Sequence, residues 1–408
     1  MPLKKLDAYK TFLILQGASA LFFAMMTTTN LVYQVQEAHL NPLQLVLVGT
    51  ILEISVFLFE IPTGVVADVY SRRWSVIIGQ FLLGAGFILN GAIPRFDVIL
   101  LAQVIWGVGY TFTSGATQAW IADEVGEGNA GHAFLRGAQV SQLGALIGIA
   151  IATALANVQV NLPIIIGGSL QMLLGIFLML AMPETGFTPT RSKDRSSWQK
   201  MAQTFQDGIQ TVRVRPALIT ILAVNAIYGM FSEGMDRLWT PHFLNDFTLP
   251  KLGSLEPVTW FGIISGTAML LSIAGTEIVH RRIDTNSHVA VARVLSLINV
   301  LVSAGVVVFG AITNFALALV ILLLVRPLRR VYDPLYTAWV NQHVNSNVRA
   351  TVLSMSSQSG ALGEIIGGPI FGIIATVTSV GTSLVVAGAM LLPALLLYAR
   401  EIRRSEKR

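Results

Sequence analysis

The 408 residues contain no cysteine, and only 12% of them are Asp, Glu, Lys or Arg. The first absence excludes disulfides, thiolate metal sites and thiolate catalysis, and it removes any clue to redox compartment. The second, beside 53% hydrophobic residues and a mean hydropathy of +0.66, excludes an ordinary soluble domain. Catalytic signatures are also missing. His39, His132, His242, His280, His288 and His343 are isolated along the chain and fall mostly in predicted loops. No HExxH, G-x-S-x-G or Walker pattern occurs, so the expectation is a protein that is not an enzyme, is not driven by ATP and needs no cofactor. Neither a repeated selectivity segment nor a symmetry-supplied pore ring, as expected of a channel, is visible in one chain of two dissimilar halves.

What remains is apolar sequence, cut by charged or turn-rich breaks into about a dozen segments of roughly 18 to 25 residues, each long enough to cross a bilayer as a helix. They fall near 12–36, 43–67, 75–93, 98–120, 135–156, 162–182, 216–240, 258–279, 289–310, 315–340, 350–376 and 383–399. One set of loops carries Lys4, Lys5, Arg72, Arg73, Arg191, Lys193, Arg195, Lys200, Arg213, Arg215, Arg281, Arg282 and the tail from Arg400 to Arg408, while the opposite set holds Arg95 and Lys251. Basic residues stay on the cytoplasmic side, so both termini and the central loop are expected there, in a multi-pass protein of the cytoplasmic membrane. This asymmetry accounts for the net charge of +5 without a nucleic-acid partner. Lys4, Lys5 and Lys10 before an apolar run, with Ala18-Ser19-Ala20 following, resemble a signal peptide, but the run continues past Met26, and a retained first span is expected.

The composition shifts once, between Pro183 and Pro216, dividing the chain into a bundle at 1–182, a linker at 183–215 and a second bundle with a tail at 216–408. In the linker Trp198, Met201, Ala202, Phe205, Ile209 and Val212 recur at helical spacing, which predicts an amphipathic helix on the membrane surface. The halves are related. Gln118 to Gly148 lies over Thr337 to Gly367 without gaps, matching Ala119-Trp120 to Ala338-Trp339, Gln139 to Gln358, Leu143-Gly144 to Leu362-Gly363 and Ile147-Gly148 to Ile366-Gly367. The paired small residues predict close helix packing between the halves.

The repeat settles the reading of VRPLRRVYDPLYTAW, Val325 to Trp339, which follows a strongly apolar run. Laid over the fourth span, it continues the tenth span with its charges inside the membrane. At about 100° per residue Arg326, Arg329, Arg330 and Asp333 share a face with Thr337 and Asn341. Such a stripe cannot face lipid, since a central Arg costs about 2.5–3.5 kcal/mol there. Arg329 or Arg330 could pair with Asp333 at helical spacing or snorkel to the cytoplasm, whereas Arg326 lies too deep for that and is read as facing a cavity.

The loop after the second span reads GVVADVYSRR, Gly64 to Arg73, and resembles the signature loop of the major facilitator superfamily, G-x-L-A-D-R/K-x-G-R-R/K, at Gly64, Ala67, Asp68, Arg72 and Arg73. Val69 and Ser71 depart from it. The fourth span keeps Gly107 and Gly109 of a second family pattern but has Gln103 and Trp106 at its polar positions, and GGPIFG, Gly367 to Gly372, stands in the eleventh span rather than the fifth. The resemblance implies an all-α membrane protein of about twelve transmembrane helices in two pseudo-symmetric six-helix bundles, a secondary transporter working by alternating access as a monomer. It further implies a gating latch of Asp68, Arg72, Arg73 and Arg349, with Asp68 at the N-terminus of the eleventh span.

Intramembrane acids are candidates for proton coupling, because they are costly unless they function. Glu53 and Glu364 rank first for depth and Asp333 next for its place on the arginine stripe; Glu60, Glu233 and Asp236 also lie in spans. Arg326, Arg330, Tyr332, Tyr336, Asn225 and Tyr228 are the candidate substrate contacts. The leading expectation is proton-coupled export of a small amphiphilic compound. The alternatives are transport of an organic or lipid anion held by Arg326 and Arg330, and a sensor or scaffold that binds ligand without moving it.

Overall fold

A computed structural model describes residues 5–188, 216–283, 287–342, 344 and 349–405. The amphipathic helix expected from Trp198 to Val212 in the linker lies outside them. Every regular element among the described residues is a helix: α1 (Ala8–Gln36), α2 (Pro42–Val69), α3 (Arg72–Ala92), α4 (Phe96–Thr113), α5 (Ala116–Val125), α6 (Glu127–Ala156), α7 (Leu162–Ala181), α8 (Pro216–Asp246), α9 (Val258–Arg282), α10 (His288–Ala311), α11 (Phe315–Gln342), α12 (Arg349–Val377), α13 (Val380–Ala389) and α14 (Leu392–Ser405). Helices are what a bilayer permits, because each satisfies its own backbone polar groups. Several of their N-termini are capped by short polar side chains. Asp7 accepts the Lys10 amide, Ser71 the Trp74 amide and Ser379 the Thr382 amide, each at 3.0 Å.

Among the described residues eleven stretches are long and apolar enough to span, with α4 and α5 counted together and α13 joined to α14. The twelfth expected span, α11, is not among them because of its charges. It is nevertheless one helix of 28 residues, with Pro327 and Pro334 inside it.

The chain forms two compact units, one of Met1–Leu40, Ile51–Lys193 and Lys251–Gly266, the other of Asn41–Thr50, Asp194–Pro250 and Thr267–Arg408. The first turns of α2 thus group with the second unit and those of α9 with the first. In the first unit α1 packs along α6 so closely that a Cβ at Gly144 would stand 2.3 Å from the Gly17 carbonyl oxygen, and one at Gly148 would stand 2.3 Å from that of Leu21. In the second unit α8 packs along α12 in the same manner. A Cβ at Gly363 would lie 2.2 Å from the Ala226 carbonyl oxygen, and one at Gly367 would lie 2.6 Å from that of Met230. These are the glycines that align in the repeat. They join the first and fifth spans inside each unit, which corrects the expectation that they pack the halves together: helices that must approach within backbone contact need a side with no side chains, and that side faces a helix of the same bundle.

Candidate functional site

The arginine stripe of α11 meets α8 within the second unit. Arg326 and Asp333 each precede a proline, a place where the helical ladder has a gap and polar side chains can approach the backbone. Arg329 grips Asp236 with both arms of its guanidinium, Nη1 to Oδ1 at 2.6 Å and Nη2 to Oδ2 at 2.8 Å. Its Nη2 also donates to Ser232 Oγ at 2.7 Å, and Ser232 in turn donates to Asp236 at 3.0 Å. The guanidinium lies 5.2 Å from the centroid of the Phe231 ring. The partner of Arg329 is therefore the acid of a neighbouring helix, not Asp333 one turn away on its own, because a planar fork matched to a carboxylate makes two charge-assisted bonds that an i,i+4 neighbour rarely orients.

Arg326 stands one turn away over the indole of Trp239, 4.7 Å from the ring centroid, with its Nη1 buried and lacking a hydrogen-bond partner. Arg330, Asp333 and Thr337 are exposed on the same helix. Neither Arg326, Arg330 nor Asp333 forms a side-chain ion pair among the described residues. The cluster of Arg326, Arg329, Arg330, Asp236 and Asp333 thus holds three cations and two anions. Its surplus positive charge is held against an aromatic face with a donor to spare, which suits an anionic group attached to an apolar body.

The other candidate contacts turn into the protein. Tyr228 stacks on Tyr332 with centroids 4.1 Å apart and rings 4° from parallel. The Tyr332 hydroxyl bonds that of Tyr398 at 2.9 Å. Tyr336 bonds the Ile221 carbonyl at 3.0 Å and Ser356 Oγ at 2.8 Å, and Asn225 donates to the Ser356 carbonyl at 2.6 Å. These bonds tie α8, α11, α12 and α14 into a frame behind the arginines, each buried hydroxyl being satisfied as burial requires.

Among the expected coupling acids, Glu53 and Glu364 are half-buried in α2 and α12. Glu233 and Arg237 form a buried pair at 3.0 Å on α8, and Gly49 of α2 packs on it: a Cβ there would lie 1.7 Å from Glu233 Oε1. Glu60 accepts from Ser114 Oγ at 3.1 Å.

The signature loop is built into the first unit. Arg72 binds Asp123 and donates to the Ala119 carbonyl at 3.0 Å, with exposed Asp68 at 3.7 Å. Arg73 donates to the Met179 carbonyl at 2.7 Å, and its backbone amide meets Glu184 at 2.9 Å. Ser71, which departs from the family pattern, both caps α3 and donates to Glu184 at 2.7 Å. Arg349 begins α12, and its side chain lies outside the described residues. Deeper in this unit Asn90 donates to Asn30 at 2.8 Å, while both amide atoms of fully buried Gln103 lack a partner. Among the described residues no group of three or more His, Asp or Glu could hold a metal ion.

Asp236 is one of several acids in the predicted spans, and no local pattern in the sequence singles out Asp236, Ser232, Trp239, Asp123 or Glu184. A bidentate arginine demands a carboxylate, yet which of several acids supplies it is a matter of tertiary distance.

The sequence model described as Major Facilitator Superfamily matches residues 12–355. The chain belongs to the major facilitator superfamily. A curated relative, the uncharacterized MFS-type transporter YxaM of Bacillus subtilis (strain 168), is 24% identical over 362 residues, covering 87% of this chain and 86% of that protein. Among solved structures the nucleoside transporter NupG superposes with a TM-score of 0.78 at 14% identity, covering 97% of this chain and 99% of that one. A bacterial homolog of the human lysosomal transporter Spinster, inward-facing and unoccupied, gives 0.79 at 14% identity over 98% of each chain. A POT family transporter in complex with a thioalcohol-conjugated peptide gives 0.76 at 12% identity, covering 98% of this chain and 99% of that one. Identities this low establish the fold alone. The protein is a multi-pass membrane transporter rather than an enzyme.

Proposed function

We propose that this transporter moves a small amphiphilic organic anion by alternating access, coupled to protons, in the cytoplasmic membrane and as a monomer with both termini cytoplasmic. One observation carries the reading: Arg326 is a cation inside a helix bundle, stacked on Trp239, with a buried guanidinium nitrogen that has no hydrogen-bond partner among the described residues. A buried donor without an acceptor costs about 1–3 kcal/mol, and a carboxylate or phosphate bound there recovers that cost while Trp239 takes the apolar body. Arg330 adds a second positive charge. Arg329 is already spent on Asp236, and Tyr228, Tyr332, Tyr336 and Asn225 hold the frame. Gating is assigned to Asp68, Arg72, Arg73 and Arg349, and coupling to acids of the spans, with Glu53, Glu364 and Asp333 as the sequence-based candidates.

A second reading, export of a cationic or neutral drug-like compound, draws support from Asp333, an exposed acid with no ion pair among the described residues. Thermal stability of the purified protein against naphthoate, naphthamide and naphthylmethylamine separates them. A ligand at a hundred times its dissociation constant adds about 2.7 kcal/mol. Stabilisation by naphthoate that disappears in Arg326→Ala supports the anion; stabilisation by the amine that survives in Arg326→Ala and vanishes in Asp333→Asn supports the cation.

A further inference from the structure

The fourth span is broken. Its two helices, α4 and α5, are separated by Ser114 and Gly115, and Gly115 has φ +68°, a conformation that glycine adopts without strain. Hydroxyls gather at the break: Ser75 donates to the Phe112 carbonyl at 2.7 Å, Thr113 to the Tyr110 carbonyl at 2.8 Å and Thr117 to the Thr113 carbonyl at 3.1 Å. Irregular backbone at membrane depth is tolerated where protein or water covers its polar groups. Into this break points Glu60 of α2, whose carboxylate accepts from Ser114 Oγ at 3.1 Å.

Glu60 differs from the other paired acids of the spans. Asp236 has Arg329, Asp123 has Arg72 and Glu233 has Arg237. Among the described residues no Lys or Arg stands within ion-pair distance of Glu60. The titratable groups near it are Tyr110 on α4, which is close to both Glu53 and Glu60, Glu53 itself two turns away on α2, and Asp68 two turns the other way, which faces Arg72. Glu60 sits nine residues from the end of α2, about 14 Å along the helix axis. A carboxylate with no cation at such depth stays charged only while water reaches it, and otherwise its charge has to be cancelled. Among the described residues the hydrogen-bond partner of its carboxylate is the Ser114 hydroxyl, which suits both forms of the acid: Ser114 donates to the carboxylate and accepts from the carboxylic acid.

We propose that Glu60, with Ser114 at the break of the fourth span, is a proton-binding site of the transporter. The step is the addition of one proton from water to the Glu60 carboxylate and its return to water. Its use in driving transport rests on the proton-coupled reading above.

The test is infrared difference spectroscopy of the full chain in liposomes across a pH titration, with Glu60→Gln and Ser114→Ala beside the native protein. We expect a carboxylic-acid carbonyl band that appears on acidification, is lost in Glu60→Gln and shifts in frequency in Ser114→Ala. Ser114→Ala leaves the titrating group in place, so it serves even if Glu60→Gln folds poorly. A band unchanged in both variants overturns the proposal. Naphthoate uptake under an imposed pH gradient, measured on the same vesicles, reports the coupling reading separately. Loss of the band with uptake indifferent to the gradient keeps the proton site and discards coupling, whereas gradient-driven uptake with the band intact in Glu60→Gln keeps coupling and discards this site.

Discussion

Removing Asp236 should cost more than its partly exposed side chain suggests. Arg329 is 13% exposed and Asp236 is 54% exposed, so the pair is intermediate between a surface bridge and a buried one. Loss of one partner of a fully buried pair costs about 3–5 kcal/mol, and an exposed pair contributes about 0–1 kcal/mol. The two short bonds from Arg329, the supporting Ser232 and the low exposure of the arginine place Asp236→Ala at about 1.5–3 kcal/mol, the range for hydrogen bonds to charged groups. The damage comes from the stranded cation. Arg329→Leu should therefore rescue Asp236→Ala, and the double variant should be more stable than the sum of the singles predicts. Unfolding in micelles by titration with sodium dodecyl sulfate, run on all four proteins of the cycle, gives the coupling directly. A coupling energy within about 0.3–0.5 kcal/mol of zero would mean additive, independent sites and no stranded cation at Arg329.

Gly144→Ala and Gly363→Ala should each destabilise by about 1–3 kcal/mol, because the new methyl meets a backbone oxygen that cannot swing away; the same unfolding titration checks it, and equal effects at the two sites would mark them as equivalent in the repeat. Gln103→Leu should be neutral or stabilising, since it removes two buried amide atoms that bond nothing in the protein; a marked loss of stability in that titration would show that Gln103 has a partner after all.

The all-helical fold was legible because a bilayer allows few alternatives and apolar run length reports helix length. The extent of α11 was the harder inference, as its charges disqualify it on composition. The repeat resolved it, since the glycines and tryptophans that align in the two halves occupy the same packing positions: Trp120 and Trp339 are both fully buried, and Gly144 and Gly363 both touch the first span of their unit. What those glycines touch was not legible, because a small-residue face announces close approach without naming the partner. The site was half visible for the same reason. Periodicity put Arg326 and Arg329 on one face, but Asp236 lies 93 residues from Arg329, and no local rule selects it over Asp333. The tyrosines were visible as polar aromatics, yet whether a hydroxyl faces a ligand or another helix depends on the neighbours that satisfy it, and Tyr398 and Ser356 did so here.

The most direct test of the account is exchange of labelled naphthoate in proteoliposomes carrying the native protein, Arg326→Ala or Arg326→Lys. Exchange is expected with the native protein, with a loss of at least tenfold in Arg326→Ala, equivalent to about 1.4 kcal/mol of lost binding, and partial retention in Arg326→Lys, which keeps the charge but not the planar stack on Trp239. Equal exchange by the native protein and Arg326→Ala, or none by the native protein, would contradict it.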